Sequence, residues 1–100
     1  MKRHARRRDA NEPDIIEALR AAGASVQQLD GTGVPDLLVG YQGKTYLLEV
    51  KEEHGHYMKD HKNVDGLRDT QRTWWARWGG GPLVTVVTAA EALAVIGVAP

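Results

Sequence analysis

Two acidic residues and a lysine near the middle of the chain have the types and the spacing for phosphate chemistry. Twelve residues separate Asp36 from Glu49, and Lys51 follows two positions later. Between them, Gln42-Gly43 predicts a two-residue turn and therefore a tight antiparallel hairpin. Paired positions in that hairpin have residue numbers that add up to 85, so Asp36 faces Glu49. Because side chains alternate along a strand, Lys51 projects from the same face as Glu49.

Two carboxylates that face each other in a sheet need a cation between them. They repel each other by about 0.5 kcal/mol, and by more in a dry sheet, unless positive charge is close. Oxygen ligands favour magnesium or manganese, which would polarise a phosphoryl oxygen and activate a water molecule. Lys51 would orient that water or neutralise charge on the phosphate. The alternative is a structural ion pair of Lys51 with Asp36 or Glu49, although a carboxylate pair among apolar strands is an expensive way to stabilise a fold.

The elements around this trio predict an α/β fold in which a mixed β-sheet is flanked by helices. An amphipathic helix begins near Asn11, which suits an N-cap, has Pro13 in its first turn and ends at Gly23. Apolar residues on both alternating faces place the second and third strands in the middle of the sheet. The predicted order is α-β-β-β-α-β-α, with strands at 25–29, 34–40, 44–51 and 83–88 and later helices at 68–78 and 89–96.

Length and composition limit the class of protein. One hundred residues support one core, which we assign to residues 11–100, with a basic arm at 1–10 and a flexible loop at 52–66. With no cysteine, any metal depends on oxygen or imidazole ligands. No apolar run approaches the ~20 residues of a membrane span, and no apolar signal core follows the basic start, so we expect a soluble, cytoplasmic protein. So short a chain has little surface for both a cleft and a substrate track, so we also expect a homodimer.

Charge is distributed unevenly along the chain. The formal net charge is zero, which taken alone argues against a nucleic-acid-binding domain. However, basic residues crowd the N-terminal arm and return after the hairpin, where they would contact phosphates or simply keep these segments solvated. For a nucleic-acid partner, the predicted phosphate contacts are Arg3, Arg6, Arg7, Arg8, Lys59, Lys62, Arg68 and Arg72.

The motif around the trio resembles that of a nuclease superfamily. Pro35-Asp36 followed by Glu49-Val50-Lys51 is similar to the PD-(D/E)XK signature of nucleases with a restriction-endonuclease-like core. Gly33-Val34-Pro35-Asp36 resembles VRR-NUC domains and archaeal-type Holliday junction resolvases, and the resemblance covers roughly residues 11–88. It implies an endonuclease that hydrolyses DNA phosphodiesters with Mg²⁺, or Mn²⁺ as a substitute. Branched or flapped DNA from recombination or repair is the expected substrate.

The resemblance implies further site residues. In the relatives a glutamate precedes the glycine at the end of the first helix by about three turns, which fits Glu12 better than Glu17. The alternative for Glu12 is a solvated glutamate favoured by the helix dipole. Gln71 resembles a glutamine that follows the Glu-x-Lys strand and would position Lys51 or a phosphate, although surface exposure explains it nearly as well. The predicted catalytic residues are Asp36, Glu49, Lys51, Glu12 and Gln71, and the predicted metal ligands are Asp36, Glu49, Glu12 and the Val50 carbonyl.

Several features leave alternatives open. Trp74, Trp75 and Trp78 have helical spacing, so we expect at least two of them in the core rather than stacked on unpaired bases. The three histidines in the 52–66 loop lack the spacing of a structural zinc site. A non-catalytic DNA-binding or assembly module would keep the fold without turnover. A nucleotide or RNA hydrolase would use the same metal chemistry.

Overall fold

Residues 8–52 and 68–99 are described by a computed structural model of the chain, and they form three helices and one four-stranded sheet. The strands lie in the order β1-β2-β3-β4, with antiparallel pairing among the first three and parallel pairing between β3 and β4. The predicted α/β class with a mixed sheet and three helices is therefore confirmed. The elements are α1 (Glu12–Ala21), β1 (Ser25–Gln28), β2 (Leu37–Tyr41), β3 (Lys44–Val50), α2 (Asp69–Arg77), β4 (Leu83–Val86) and α3 (Ala89–Val95).

The hairpin of β2 and β3 has the register that the sequence predicts. Leu37 lies opposite Leu48, so the numbers of paired residues add up to 85 along the ladder. Both turn residues have positive φ, 50° at Gln42 and 78° at Gly43, as a type I′ turn requires. The tight turn and the central position of both strands are confirmed as well, since β1 and β4 lie outside them.

The turn before β2 is longer than predicted. The sequence predicts a strand from residue 34, but β2 begins at Leu37. Gly33 has a φ of 79° and Pro35 lacks an N–H, so the chain cannot pair there. A Cβ added at Gly33 would collide with the carbonyl oxygen of Thr70, which shows how closely this turn lies against α2. Asp36 consequently lies at the open end of the hairpin, which we call its mouth, one residue before the β2–β3 pairing begins.

The apolar core lies on one face of the sheet. Leu37 and Leu48 have no exposed surface and pack with Ile15 and Leu19 of α1. Alternation along β2 and β3 directs the neighbouring side chains, including Glu49, to the opposite face. One face of the hairpin thus packs under α1 and α3. The opposite face, which we call the polar face, carries Leu38 and Leu47 and, at the end of β3, Glu49 and Lys51.

Asn11 does not cap α1 as the sequence predicts. Its backbone is already helical, with φ −85° and ψ −7°, and its side chain makes no capping hydrogen bond. Instead its Nδ2 donates to the carbonyl oxygens of Lys51, at 2.9 Å, and Val87, at 2.6 Å. These bonds tie the start of α1 to the ends of β3 and β4, which places Glu12 beside the mouth of the hairpin. Pro13 lies in the first turn of α1, as predicted.

The expectation that the tryptophans enter the core is wrong. No residue of α2 is buried; Trp74 and Trp75 are half-buried, and Trp78, just past the helix, is 37% exposed. Trp74 and Trp78 stack on each other, with ring centroids 5.3 Å apart and an interplanar angle of 19°. Helical spacing gathered these rings on one side, but the core was already filled by α1 and α3.

Parts of the predicted organisation lie outside the described residues. These are residues 1–7 of the basic arm and residues 53–66 of the predicted loop, with their three histidines. In residues 8–52 and 68–99, no helix is both long and apolar enough to cross a membrane. The single domain at 11–100, the homodimer and the cytoplasmic location stay predictions.

Candidate active site

Glu49, Lys51 and Gln71 form a hydrogen-bonded cluster on the polar face of the hairpin. The Gln71 side chain donates from Nε2 to Oε2 of Glu49 at 2.8 Å and accepts at Oε1 from Nζ of Lys51 at 3.3 Å. Lys51 Nζ also lies 3.6 Å from Oε2 of Glu49. An amide both donates and accepts, so Gln71 can hold an anion and a cation at once.

Gln71 owes its position to the first turn of α2. It is the third residue of the helix, and its Oε1 also accepts from the backbone N–H of Arg68 at 2.9 Å. The same side chain therefore closes the helix start and reaches the end of β3. The alternative that Gln71 is simply an exposed surface residue is wrong, because both ends of its amide are engaged.

The cluster is buried at a cost to the fold. Glu49 is 4% exposed and Lys51 is 7% exposed. Removing such charges from water costs several kcal/mol per ion, which an ion pair repays only partly. Packed apolar residues would stabilise these positions at least as well. The Glu49–Lys51 ion pair, which is the structural alternative to a catalytic site, is therefore present in the structure, and its burial costs free energy.

Asp36, just before β2, contacts the backbone of the Glu49–Lys51 segment. Its Oδ2 accepts a 2.7 Å hydrogen bond from the backbone N–H of Val50, the residue between Glu49 and Lys51. The main chain of Asp36 is held as well, since its carbonyl accepts from the N–H of Leu29 at 2.8 Å. The sequence therefore placed Asp36 correctly opposite the Glu-x-Lys segment, although its carboxylate turns toward the backbone of that segment.

Glu12 lies beside Asp36 and is 1% exposed, so it is not the solvated glutamate of the alternative interpretation. Its Oε2 accepts from Nε2 of Gln28 at 2.9 Å, while its buried Oε1 has no hydrogen-bond partner within residues 8–52 and 68–99. Burial raises the pKa of the Glu12 carboxyl above its ordinary value, and the negative charge of Asp36 raises this pKa further. Glu17, the other candidate, is exposed.

The guanidinium of Arg8 lies between Glu12 and Asp36. Its Nη1 is 3.3 Å from Oε2 of Glu12 and 3.7 Å from Oδ1 of Asp36, and its Nη2 is 3.1 Å from Oδ1 of Asp30. Nη2 also donates to the carbonyl of Leu29 at 2.8 Å. The sequence predicts Arg8 as a phosphate contact on an arm, whereas the structure places it as the counter-charge of two candidate metal ligands.

The carboxylates thus form two groups. Glu12 and Asp36 surround Arg8, whereas Glu49 is held by Lys51 and Gln71. Among the described residues, no three acidic or histidine side chains are gathered closely enough to hold a metal ion. The donor types nevertheless fit a hard cation, and the unused Oε1 of Glu12 is a buried oxygen of the required kind. An ion bound by Glu12 and Asp36 would take over the role of Arg8.

The structure brings some of the predicted site residues together and leaves others apart. Asp36, Glu49, Lys51, Glu12 and Gln71 come together at the hairpin mouth and the start of α2, and the backbone of Val50 lies among them. Of the predicted phosphate contacts, Arg68 and Arg72 are exposed at α2, whereas Arg8 lies between Glu12 and Asp36. The others lie outside the described residues: Arg3, Arg6, Arg7, Lys59 and Lys62.

Sequence reasoning missed two residues that support the site. Asn11 was assigned to a helix cap, and Gln28 was unremarkable in a polar strand. The alternation of β1 would have indicated which face Gln28 occupies, but no sequence signal connects Asn11 with the ends of β3 and β4. Comparison with protein-family models, with curated proteins and with solved structures gave no significant match. The candidate function therefore depends on the motif and on the geometry of these residues.

Proposed function

We propose that the chain is a metal-dependent endonuclease that hydrolyses DNA phosphodiester bonds and has a restriction-endonuclease-like core of the PD-(D/E)XK type. The observation that carries the proposal is the buried Glu49–Lys51 pair held by Gln71 at the hairpin end that Asp36 also reaches. Carboxylates that can hold a metal ion and a lysine that can neutralise charge on a phosphate are groups that can catalyse phosphodiester hydrolysis.

The proposed metal ligands come from the resemblance, and the proposed roles of Lys51 and Gln71 are supported by their contacts. Asp36, Glu49, Glu12 and the Val50 carbonyl would hold Mg²⁺, with Mn²⁺ as a substitute. Bound there, the ion would supply Lewis-acid activation of the phosphate and of a water molecule. The ammonium of Lys51 would orient that water and neutralise charge that develops on the phosphate. Gln71 would hold the side chains of Lys51 and Glu49 in position, because it already contacts both.

DNA with a branch or a flap is the proposed substrate, and this choice comes from the resemblance. The exposed positions of Arg68 and Arg72 next to Gln71 support phosphate contacts at α2. Arg3, Arg6, Arg7, Lys59 and Lys62 are proposed to extend these contacts. A homodimer in the cytoplasm, with two sites facing opposite strands, would suit cutting of both strands at a junction.

A non-catalytic DNA-binding or assembly module is the second candidate. It is favoured by one observation, namely that Arg8 already neutralises Glu12 and Asp36 without a metal. Against it, a DNA-binding surface gains nothing from buried carboxylates close to phosphates. The two candidates differ in whether a divalent cation changes the covalent state of the DNA or only its binding.

Cleavage of end-labelled linear, flapped and four-way-junction DNA tests the proposal. Wild type is compared with Asp36→Asn and Lys51→Ala in Mg²⁺, Mn²⁺ and EDTA, with RNA and mononucleotides as further substrates. Asp14→Asn and Lys44→Ala are matched controls, because both residues are exposed and outside the site. We expect metal-dependent cutting that is lost only in the two site variants. DNA binding by wild type without cutting of any substrate would instead establish the non-catalytic module, and preferential hydrolysis of RNA or mononucleotides would reassign the substrate.

A further inference from the structure

A cleft between α2 and the turn before β2 is not used by the proposed catalytic groups. The stacked rings of Trp74 and Trp78 form its wall, and Thr32, Thr73 and Arg77 also line it. Its volume is about 520 Å³, which is enough for a planar heterocycle. We call these five residues the aromatic cleft. Trp74 and Trp78 lie outside the core, and aromatic side chains bordered by a few polar groups are typical of a ligand-binding pocket.

We propose that the aromatic cleft binds an unpaired base of a nucleic-acid strand. This inference rests on the proposed nuclease function and deepens it, because it states which feature of the substrate the protein reads. The base would stack on the face of Trp74 while its own phosphates remain outside the cleft. A base within a duplex has both faces covered by its neighbours, so only an unpaired base can bind in this way.

The position of the cleft supports this occupant. Gln71, which contacts Glu49 and Lys51, is in the first turn of the same helix. At 1.5 Å per residue, Trp74 and Arg77 lie roughly 4.5 and 9 Å further along the helix axis. Stacked nucleotides advance about 3.4 Å each along a strand, so these distances correspond to about one to three nucleotides. Along the helix axis, Trp74 therefore lies within about two nucleotides of Gln71, which contacts Lys51.

The chemistry of the lining also favours a nucleotide. Arg77 supplies positive charge for the phosphates that flank the base, and the exposed Arg68 and Arg72 continue this charge along α2. The Thr73 hydroxyl and the carboxylate of Asp69, which also lines the cleft, offer hydrogen-bonding groups for the base edge. Stacking is tolerant of sequence because each base has a π-face, so the cleft would distinguish unpaired from paired DNA rather than one base from another.

A second copy of the chain is the competing occupant, and the cleft suits it less well. Stable interfaces bury roughly 800 Å² on each partner and have a continuous apolar centre. Here the apolar centre consists of two rings bordered by threonine, arginine and aspartate side chains. Such a small apolar surface with a polar border is better suited to one planar ring than to a protein surface.

The test measures binding in EDTA, where hydrolysis is not needed. Fluorescence anisotropy compares labelled oligothymidine, the same strand with abasic positions, and a duplex. Trp74→Ala should weaken binding of the intact single strand roughly tenfold, leave duplex binding unchanged and bind the abasic strand as weakly as wild type does. Trp74→Phe keeps a π-face and should restore most of the affinity. Trp75→Phe is the control, because its buried indole N–H makes no hydrogen bond within residues 8–52 and 68–99.

Three results would overturn the inference. The first is equal affinity of wild type for intact and abasic strands, and the second is an equal loss of affinity for single strand and duplex in Trp74→Ala. The third is conversion of a dimer to a monomer by Trp74→Ala in sedimentation, which would assign the cleft to a second copy of the chain. All three are independent of cleavage. Stacking without cutting would contradict only the nuclease proposal, and cutting without base dependence would contradict only the proposal for the cleft. Circular dichroism of each variant confirms that it is folded.

Discussion

The two faces of the β2–β3 hairpin are made from alternating residues of the same strands, yet burial affects stability in opposite directions on the two faces. On one face Leu48 and Val50 are buried among apolar side chains of α1 and α3. On the other, Glu49 and Lys51 are almost as deeply buried but contact each other and the amide of Gln71 in α2. Burial of the apolar pair stabilises the fold, whereas burial of the charged pair costs free energy. Depth of burial alone therefore does not distinguish a core residue from a candidate catalytic one.

The helices that contact the two faces differ in how deeply their residues are buried. Ile15 and Leu19 of α1 are fully buried, whereas no residue of α2 is. α2 reaches the sheet through Gln71 and through the close approach of Thr70 to Gly33. A helix held by so few contacts can change position at a lower cost than α1. We infer that the apolar face is the scaffold and that the polar face is where substrate would be admitted.

The largest expected effect comes from the apolar face. Leu48→Ala removes a fully buried side chain at the centre of the core, so the free energy of unfolding should fall by about 2–5 kcal/mol. Urea denaturation followed by circular dichroism measures this change. Thr45→Ala, an exposed position on the same strand, is the control and should change stability by less than about 0.5 kcal/mol. A small loss for Leu48→Ala would mean that the core lies elsewhere.

Replacing both charges of the Glu49–Lys51 pair should change the free energy of unfolding in the opposite direction. In Glu49→Gln/Lys51→Met, no charge of the pair remains buried, so the free energy of unfolding should stay the same or rise by about 1–4 kcal/mol. Metal-dependent DNA cleavage should disappear, because both groups belong to the proposed machinery. Each single variant should be less stable than the double variant, since it leaves one charge without its partner. Destabilisation by the double variant, beyond that of the singles, would show that the pair is structural.

Arg8, the counter-charge of Glu12 and Asp36, gives a test with a smaller expected effect. Arg8→Gln leaves the two carboxylates close together without the guanidinium, which should lower stability in EDTA by about 1 kcal/mol. Addition of Mg²⁺ should then raise the melting temperature of Arg8→Gln more than that of wild type, because the ion no longer competes with Arg8. Arg20→Gln is the control, since Arg20 is exposed and contacts only the carbonyl of Val26 among the described residues. An equal Mg²⁺ effect on all three proteins would contradict metal binding at Glu12 and Asp36.

The register of the hairpin could be predicted because it depends on residues that are close together in the sequence. The turn residues Gln42 and Gly43 set the register, and alternation then decides which residues share a face. Asp36 and the Glu-x-Lys segment followed directly from that calculation. Their convergence with Gln71 was suggested only by the resemblance, since the sequence does not specify how α2 docks on the sheet.

The errors concern contacts between distant parts of the chain. Asn11 has the composition of an N-cap, but carbonyl groups 40 and 76 positions away offered better partners for its amide. The tryptophan spacing showed that the rings share one side of α2, but it did not show whether the sheet had apolar surface left to cover. Arg8 reads as part of a basic arm, and only the fold brings Glu12, Asp30 and Asp36 around it.

The smallest expected effect is the pH dependence of stability that Glu12 imposes in the metal-free protein. Burial raises the pKa of Glu12 above its ordinary value of 4.5, so the folded state binds this proton more tightly than the unfolded state. The contribution of Glu12 is therefore most favourable below pH 4.5 and is lost as the pH rises through the raised pKa. Compared with wild type in EDTA, Glu12→Gln should be similar in stability at acid pH and relatively more stable toward neutral pH. Glu17→Gln, an exposed change on the same helix, should show no such trend. A stability difference between Glu12→Gln and wild type that is constant with pH would mean that burial of the Glu12 carboxylate does not destabilise the folded protein.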